Sequence, residues 1–181
     1  MIKKFFAAAW LIATILLSGC FDAVEDHNSH HNNAQASTVA KNVPNFTTIT
    51  ITGETVTNEI FASKKITIVN IWGTFCPPCI GEMPALGEMD RSLPKDAQII
   101  GLICDASEKS PQIKRALEIT QKAGVNFINI VPDAQLMEFM AGVEAVPTTI
   151  FVNSKGEVVG NVIVGANVEA YKDELEKLLQ E

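Results

Sequence analysis

Ile66-Thr67-Ile68-Val69-Asn70-Ile71-Trp72-Gly73-Thr74-Phe75-Cys76-Pro77-Pro78-Cys79 decides how this chain is read. Ile66 to Trp72 is uncharged, mostly apolar and rich in β-branched residues, the composition of a strand buried on both faces. Ile80 to Arg91 has the composition of a helix. A Cys-x-x-Cys pair set between a strand and a helix N-terminus is a redox arrangement. Its sulfurs are close enough to bridge, and the positive end of the helix dipole favours a thiolate on the first. Half a zinc site has the same spacing. The strand before the pair and the helix after it are what favour redox chemistry.

Outward from this stretch the pattern alternates strand and helix. Phe46 to Thr52 alternates apolar residues with threonine, Gly53-Glu54 offers a turn, and Thr55-Val56-Thr57 is again extended, so a hairpin is expected. Gln98 to Cys104 reads as a second buried strand, and a helix opens at Ser110-Pro111 and ends at Gly124. Phe127 to Val131 reads as a short strand and Ala134 to Ala141 as a short helix closed by Gly142. Thr148–Val152 and Glu157–Ile163 flank Asn153-Ser154-Lys155-Gly156, a hairpin with a turn-compatible loop. Val168, Tyr171, Leu175, Leu178 and Leu179 fall at helical spacing, giving a closing amphipathic helix. Parallel strands joined by helices, with an antiparallel pair at the end, make a mixed α/β sheet.

The N-terminus reads differently. Met1-Ile2-Lys3-Lys4 is a short positive segment, and the apolar run Phe5 to Leu17 is too short for a comfortable membrane span. Leu17-Ser18-Gly19-Cys20 resembles the bacterial lipoprotein box, in which the cysteine is lipidated and becomes the first mature residue. An uncleaved anchor or an ordinary signal peptide are the alternatives; each places the rest outside the cytoplasm. Phe21 to Val43 is polar and reads as a flexible tether. It holds all three histidines of the chain, His27, His30 and His31. These are read as part of a solvated linker rather than a metal site, because a flexible segment loses entropy when it orders around an ion.

With 181 residues, 47% of them hydrophobic and 19% charged, the chain is long and apolar enough for one domain with a substantial core. The net charge of −7 and the lack of a basic cluster argue against nucleic acid. They also leave lipid, not charge, to hold the chain at a membrane.

Four features together resemble the thioredoxin fold and, within it, the membrane-tethered extracytoplasmic reductases of the TlpA/ResA type. Val69 to Cys79 is similar to that family's passage from strand to active-site helix. Pro84 stands five residues after Cys79, where thioredoxin-like helices kink. Val146-Pro147-Thr148-Thr149-Ile150-Phe151-Val152 looks like the family's cis-proline loop and the strand after it, and Asn153 to Glu157 like its last hairpin turn. The resemblance covers roughly Pro44 to Glu181. With the N-terminal reading, the expected organisation is a lipoprotein signal peptide over 1–19, a lipidated Cys20 with a tether over 20–43, and a thioredoxin-like domain over 44–181 carrying an added N-terminal hairpin. Two positions depart from the family. Phe75 stands where the family usually has Trp, and Asn70 where thioredoxin has a buried Asp, so proton handling at Cys79 needs water or another carboxylate.

The resemblance implies a Cys76–Cys79 disulfide, with Cys76 as nucleophile and Cys79 as the resolving thiol. Pro147 is expected to be cis, turning the backbone of Val146 towards the sulfurs, where an extended substrate could pair with it. Trp72 and Phe75, with Pro77 and Pro78, are expected to rim a substrate surface; Trp72 as plain core is the alternative. Glu82 is either a proton relay one helical turn beyond Cys79 or a solvated first-turn carboxylate. Cys104 is read as an inert core thiol, the sharper alternative being a third redox thiol. No cofactor or metal is expected. The implied partners are a disulfide-bearing protein, an integral-membrane thiol donor and, through lipid, the bacterial membrane, with the chain itself a monomer. Reduction of protein disulfides, in cytochrome c maturation or in re-reduction of envelope reductases or peroxidases, leads. A disulfide-forming oxidase or isomerase, and a copper- or haem-handling lipoprotein, are the alternatives.

Overall fold

A computed structural model describes residues 39–181. The expected signal peptide, Cys20 and most of the tether, its histidines included, lie outside the described residues. The elements run β1 (Thr47–Thr50), β2 (Thr55–Thr57), a 3₁₀ turn (Asn58–Ser63), β3 (Ile66–Trp72) and α1 (Pro77–Ser92). There follow β4 (Ala97–Ile103), α2 (Gln112–Ala123), β5 (Asn129–Val131), α3 (Ala134–Phe139), a 3₁₀ turn (Met140–Gly142), β6 (Thr148–Asn153), β7 (Val158–Val164) and α4 (Val168–Gln180).

Seven strands form one mixed sheet in the order β2-β1-β5-β4-β3-β6-β7. The strand β3 lies inside it, parallel to β4 and antiparallel to β6. Both its faces are covered, so every residue from Ile66 to Trp72 is buried. The two-residue side-chain period sorts them. Ile66, Ile68 and Trp72 join Met83, Leu86 and Met89 of α1, Ala116 of α2 and Tyr171, Leu175 and Leu178 of α4 in one core. Val69 and Ile71 face the other way, onto Leu136 and Phe139 of α3 and onto Phe46 and Phe61. The expected added hairpin is present as β1–β2, attached antiparallel to β5.

Helix boundaries differ from expectation for local reasons. Helix α1 starts at Pro77 rather than Ile80, because Cys76 caps it and the two prolines, which lack an amide proton, occupy first-turn positions that need none. The turn Asn58–Ser63 was not anticipated; Thr57 caps it by accepting the Glu59 N–H. Gly124 ends α2 as expected, in a left-handed conformation with φ 69°. Lys41 to Val43, expected within the tether, pair with the last hairpin: Lys41 O accepts the Val158 N–H at 2.8 Å and Val43 N–H donates to Gly156 O at 2.9 Å.

Candidate active site

Two loop segments meet at the carboxyl end of β3, beside the head of α1. The first is the turn Gly73-Thr74-Phe75, which carries the chain from β3 into α1. Cys76 N–H donates to Gly73 O at 3.1 Å, closing the turn. Cys76 and Cys79 are joined in a disulfide at the head of α1, with Cα atoms 5.3 Å apart. The Cys79 N–H donates to Cys76 Sγ at 3.2 Å. After reduction, that amide and the helix dipole favour a thiolate on Cys76. Cys79 is fully buried, whereas Cys76 keeps 4% of its surface.

The loop before β6 is the second segment. The Val146–Pro147 bond is cis. The Val146 carbonyl oxygen lies 3.4 Å from Cys76 Sγ. Val146 is half-buried and Pro147 buried. Phe75, 64% exposed, and the exposed Pro77 and Pro78 form an apolar border beside the disulfide.

Trp72 does not belong to that border. It is fully buried, and its indole N–H donates to Asn129 Oδ1 at 3.0 Å. The alternation along β3 turns it to the same side as Ile68, under the helices, so the alternative of plain core is the correct one.

Glu82 is no solvated first-turn carboxylate either: it is only 6% exposed. Position three residues after Cys79 puts it on the inward side of α1, with Cys79 and Met83. Asn70 Nδ2 donates to its Oε1 at 2.9 Å and also to Thr149 Oγ1 at 3.1 Å. The Tyr171 hydroxyl lies 3.0 Å from Glu82 Oε2 and 2.8 Å from the Gly165 carbonyl oxygen, while Asn167 N–H donates to it at 3.2 Å. One hydroxyl proton cannot serve both oxygens. Burial pushes the Glu82 carboxyl above its ordinary value, against the opposing effect of hydrogen bonds from Asn70 and Tyr171.

Sequence reasoning missed the partners of Glu82. Tyr171 is 89 residues away, at a position whose helical spacing marked only a core residue. Also missed were Asp105 and Arg115, which bind the turn at Thr74. Among the described residues Cys104 is free, and it is half-buried. Burial and the neighbouring Asp105 charge push its thiol up to about 11.

The Redoxin family profile matches residues 38–179. Thioredoxin-like protein YneN of Bacillus subtilis is 26% identical over 188 residues, spanning 99% of this chain and 98% of that protein. Thiol-disulfide oxidoreductase ResA of Bacillus anthracis is 28% identical over 141 residues, 77% of this chain and 78% of that protein. The crystal structure of StoA from Bacillus subtilis superposes with a TM-score of 0.59 at 19% identity, covering 75% of this chain and 98% of that one. The profile spans nearly the whole described chain, with the bonded cysteines inside it, and this chain accordingly belongs to the Redoxin family, as a thioredoxin-like thiol–disulfide oxidoreductase.

Proposed function

We propose that this protein reduces disulfides in other proteins outside the cytoplasm, held at the bacterial membrane by lipid on Cys20. The observation that carries the reading is the placement of Cys76. Its sulfur heads α1, accepts the Cys79 amide and faces the Val146 carbonyl, next to exposed Phe75.

Cys76, as thiolate, attacks one sulfur of the substrate disulfide. That bond breaks, its distal sulfur leaves and takes a proton, and a mixed disulfide joins Cys76 to the substrate. Cys79 then loses its proton and attacks Cys76 Sγ. The second substrate sulfur leaves, and the Cys76–Cys79 disulfide forms; two electrons have passed to the substrate. Glu82 relays the proton of Cys79 from its buried position on the same side of α1. Phe75, Pro77 and Pro78 bear on the substrate, and the backbone of Val146, held by Pro147, pairs with it in extended form.

The relatives' names support the chemistry. Cytochrome c maturation, or re-reduction of envelope reductases and peroxidases, is the role we assign, with an integral-membrane thiol carrier as donor. The assigned organisation is a signal peptide over 1–19, a tether from Cys20 and a monomeric thioredoxin-like domain.

The test is the reduction potential of Cys76–Cys79 in the full chain, equilibrated in graded thiol buffers with Cys76→Ser as control. A value at or below about −250 mV supports a reductase fed from a cytoplasmic thiol pool. A value of about −120 to −180 mV reverses the direction and makes the protein an oxidase or isomerase.

A further inference from the structure

The turn before Cys76 is gripped by two opposite charges that are not paired with each other. Thr74 N–H donates to Asp105 Oδ1 at 3.0 Å, and its hydroxyl donates to Asp105 Oδ2 at 2.6 Å. On the other side of the residue, Arg115 Nε donates to the Thr74 carbonyl oxygen at 3.0 Å. Neither Asp105 nor Arg115 enters an ion pair among the described residues. Both bring their charge to one residue, Thr74, which is itself buried.

We infer that Asp105 and Arg115 are positioning residues for Cys76, clamping Thr74 so that the turn presents the nucleophilic sulfur in a single place. The inference deepens the proposed reductase function and rests on it. The polarity of the clamp matches the peptide: carboxylate on N–H, guanidinium on C=O. Charge-assisted hydrogen bonds of this kind are the strong ones. The turn has few other holds. Trp72 O accepts the Cys104 N–H at 2.8 Å, and Gly73 O accepts the Cys76 N–H at 3.1 Å. Gly73 is itself wedged: a Cβ there would stand 2.6 Å from Phe75 Cε1 and 3.1 Å from Cys104 Sγ. Thr74 is therefore the point at which the segment after β4, through Asp105, and α2, through Arg115, fix the path from β3 to Cys76. Attack on a disulfide requires the incoming sulfur close to the line of the bond being broken. A displacement of about 1 Å in such a geometry can cost on the order of 10²-fold in rate.

The experiment uses the full chain, reduced, in single-turnover reaction with a small aromatic disulfide. Attack at Cys76 is followed by peptide-resolved mass spectrometry and corrected for the thiolate fraction from its pH profile. Circular dichroism verifies that each variant is folded at the working temperature. Asp105→Ala is expected to slow the corrected attack about 10- to 100-fold. Asp105→Asn keeps an acceptor for the Thr74 N–H and is expected to stay within about threefold of the parent. The inference is overturned if Asp105→Ala attacks at the parent rate, or if Asn is as impaired as Ala. Should Asp105→Ala not fold, Thr74→Val, which removes only the hydroxyl contact, decides: slower corrected attack supports the clamp, and the parent rate overturns it. Absence of Cys76-dependent exchange in the parent protein overturns the oxidoreductase reading as well; normal exchange that ignores the clamp variants overturns the clamp alone.

Discussion

The side-chain amide of Asn70, in the central strand, donates to the Glu82 carboxyl one helical turn beyond Cys79, at 2.9 Å. Asn70 cannot ionise, so this contact moves the question of proton handling from the strand to the helix. It also fixes Glu82 from one side while Tyr171 holds it from the other. The carboxyl is thereby buried and held from two sides, three residues beyond Cys79.

Glu82→Gln preserves the shape and an oxygen for Asn70 but removes the transferable proton. The second step, release of the substrate by Cys79, is expected to slow by about 10²-fold or more. The mixed disulfide on Cys76 should then accumulate and be seen by acid-quenched mass spectrometry. Equal turnover without accumulation would remove Glu82 from the mechanism.

The same carboxyl sets a sign for stability. Burial raises its folded pKa above the ordinary 4.5, so the folded state holds the proton more tightly than the unfolded state. The contribution is full below the unfolded value and is lost as pH rises through the folded one. Stability of the parent relative to Glu82→Gln should therefore fall as pH rises from about 4.5. Denaturant midpoints of the oxidised proteins across that range check this; a rise instead would mean that Glu82 is ionised in the fold.

Glu174 carries the opposite sign. Burial alone would raise its pKa, but hydrogen bonds from Asn161 and the nearby Lys177 charge hold it below the ordinary range. Its two oxygens accept the Asn161 N–H and side-chain amide, each at 2.8 Å, tying α4 to β7. Glu174→Ala should cost about 1–3 kcal/mol at neutral pH, by stranding those donors. The difference should shrink as pH falls through the folded pKa, because protonation weakens the acceptor in the parent. Urea unfolding at neutral and acid pH reads both.

With its thiol pushed up to about 11, Cys104 is on the order of one part in a thousand thiolate at pH 8. It should alkylate far more slowly than reduced Cys76 in the native protein. Cys104→Ala should leave the midpoint potential of the Cys76–Cys79 pair unchanged. A shifted potential, or a mixed Cys76–Cys104 disulfide on partial oxidation, would restore the idea of a third redox thiol.

What was legible in the sequence was what local pattern encodes. The uncharged run Ile66–Trp72 gave the central strand, and the cysteine spacing after it gave the bonded pair. Gly124 marked the end of α2 because only a left-handed cap suited that place. Contacts between distant segments left no local trace. Tyr171 looked like any apolar position of a closing helix, and nothing around Asp105 or Arg115 pointed at Thr74. Trp72 was misjudged as a substrate residue because proximity to Cys76 in sequence outweighed the parity of a strand, which turns alternate residues to opposite faces.

Parity also yields the last prediction. Gly101 in β4 is the direct partner of Asn70 in β3 and of Asn129 in β5. The Trp72–Asn129 hydrogen bond passes over it. A Cβ at position 101 would collide with Asn129 Oδ1 and lie 2.9 Å from the Trp72 indole nitrogen. Gly101→Ala must therefore push Asn129 away from the indole, leaving a buried N–H unpaired. Overpacking and the stranded donor each cost about 1–3 kcal/mol. A lowered denaturation midpoint is expected, with a change in tryptophan fluorescence in the folded baseline. Because Trp72 is the last residue of β3 before the active-site turn, disulfide exchange at Cys76 should slow as well. Parent-like stability with an unchanged tryptophan signal would mean that β4 and β5 can part at this point without cost, contrary to the packing described.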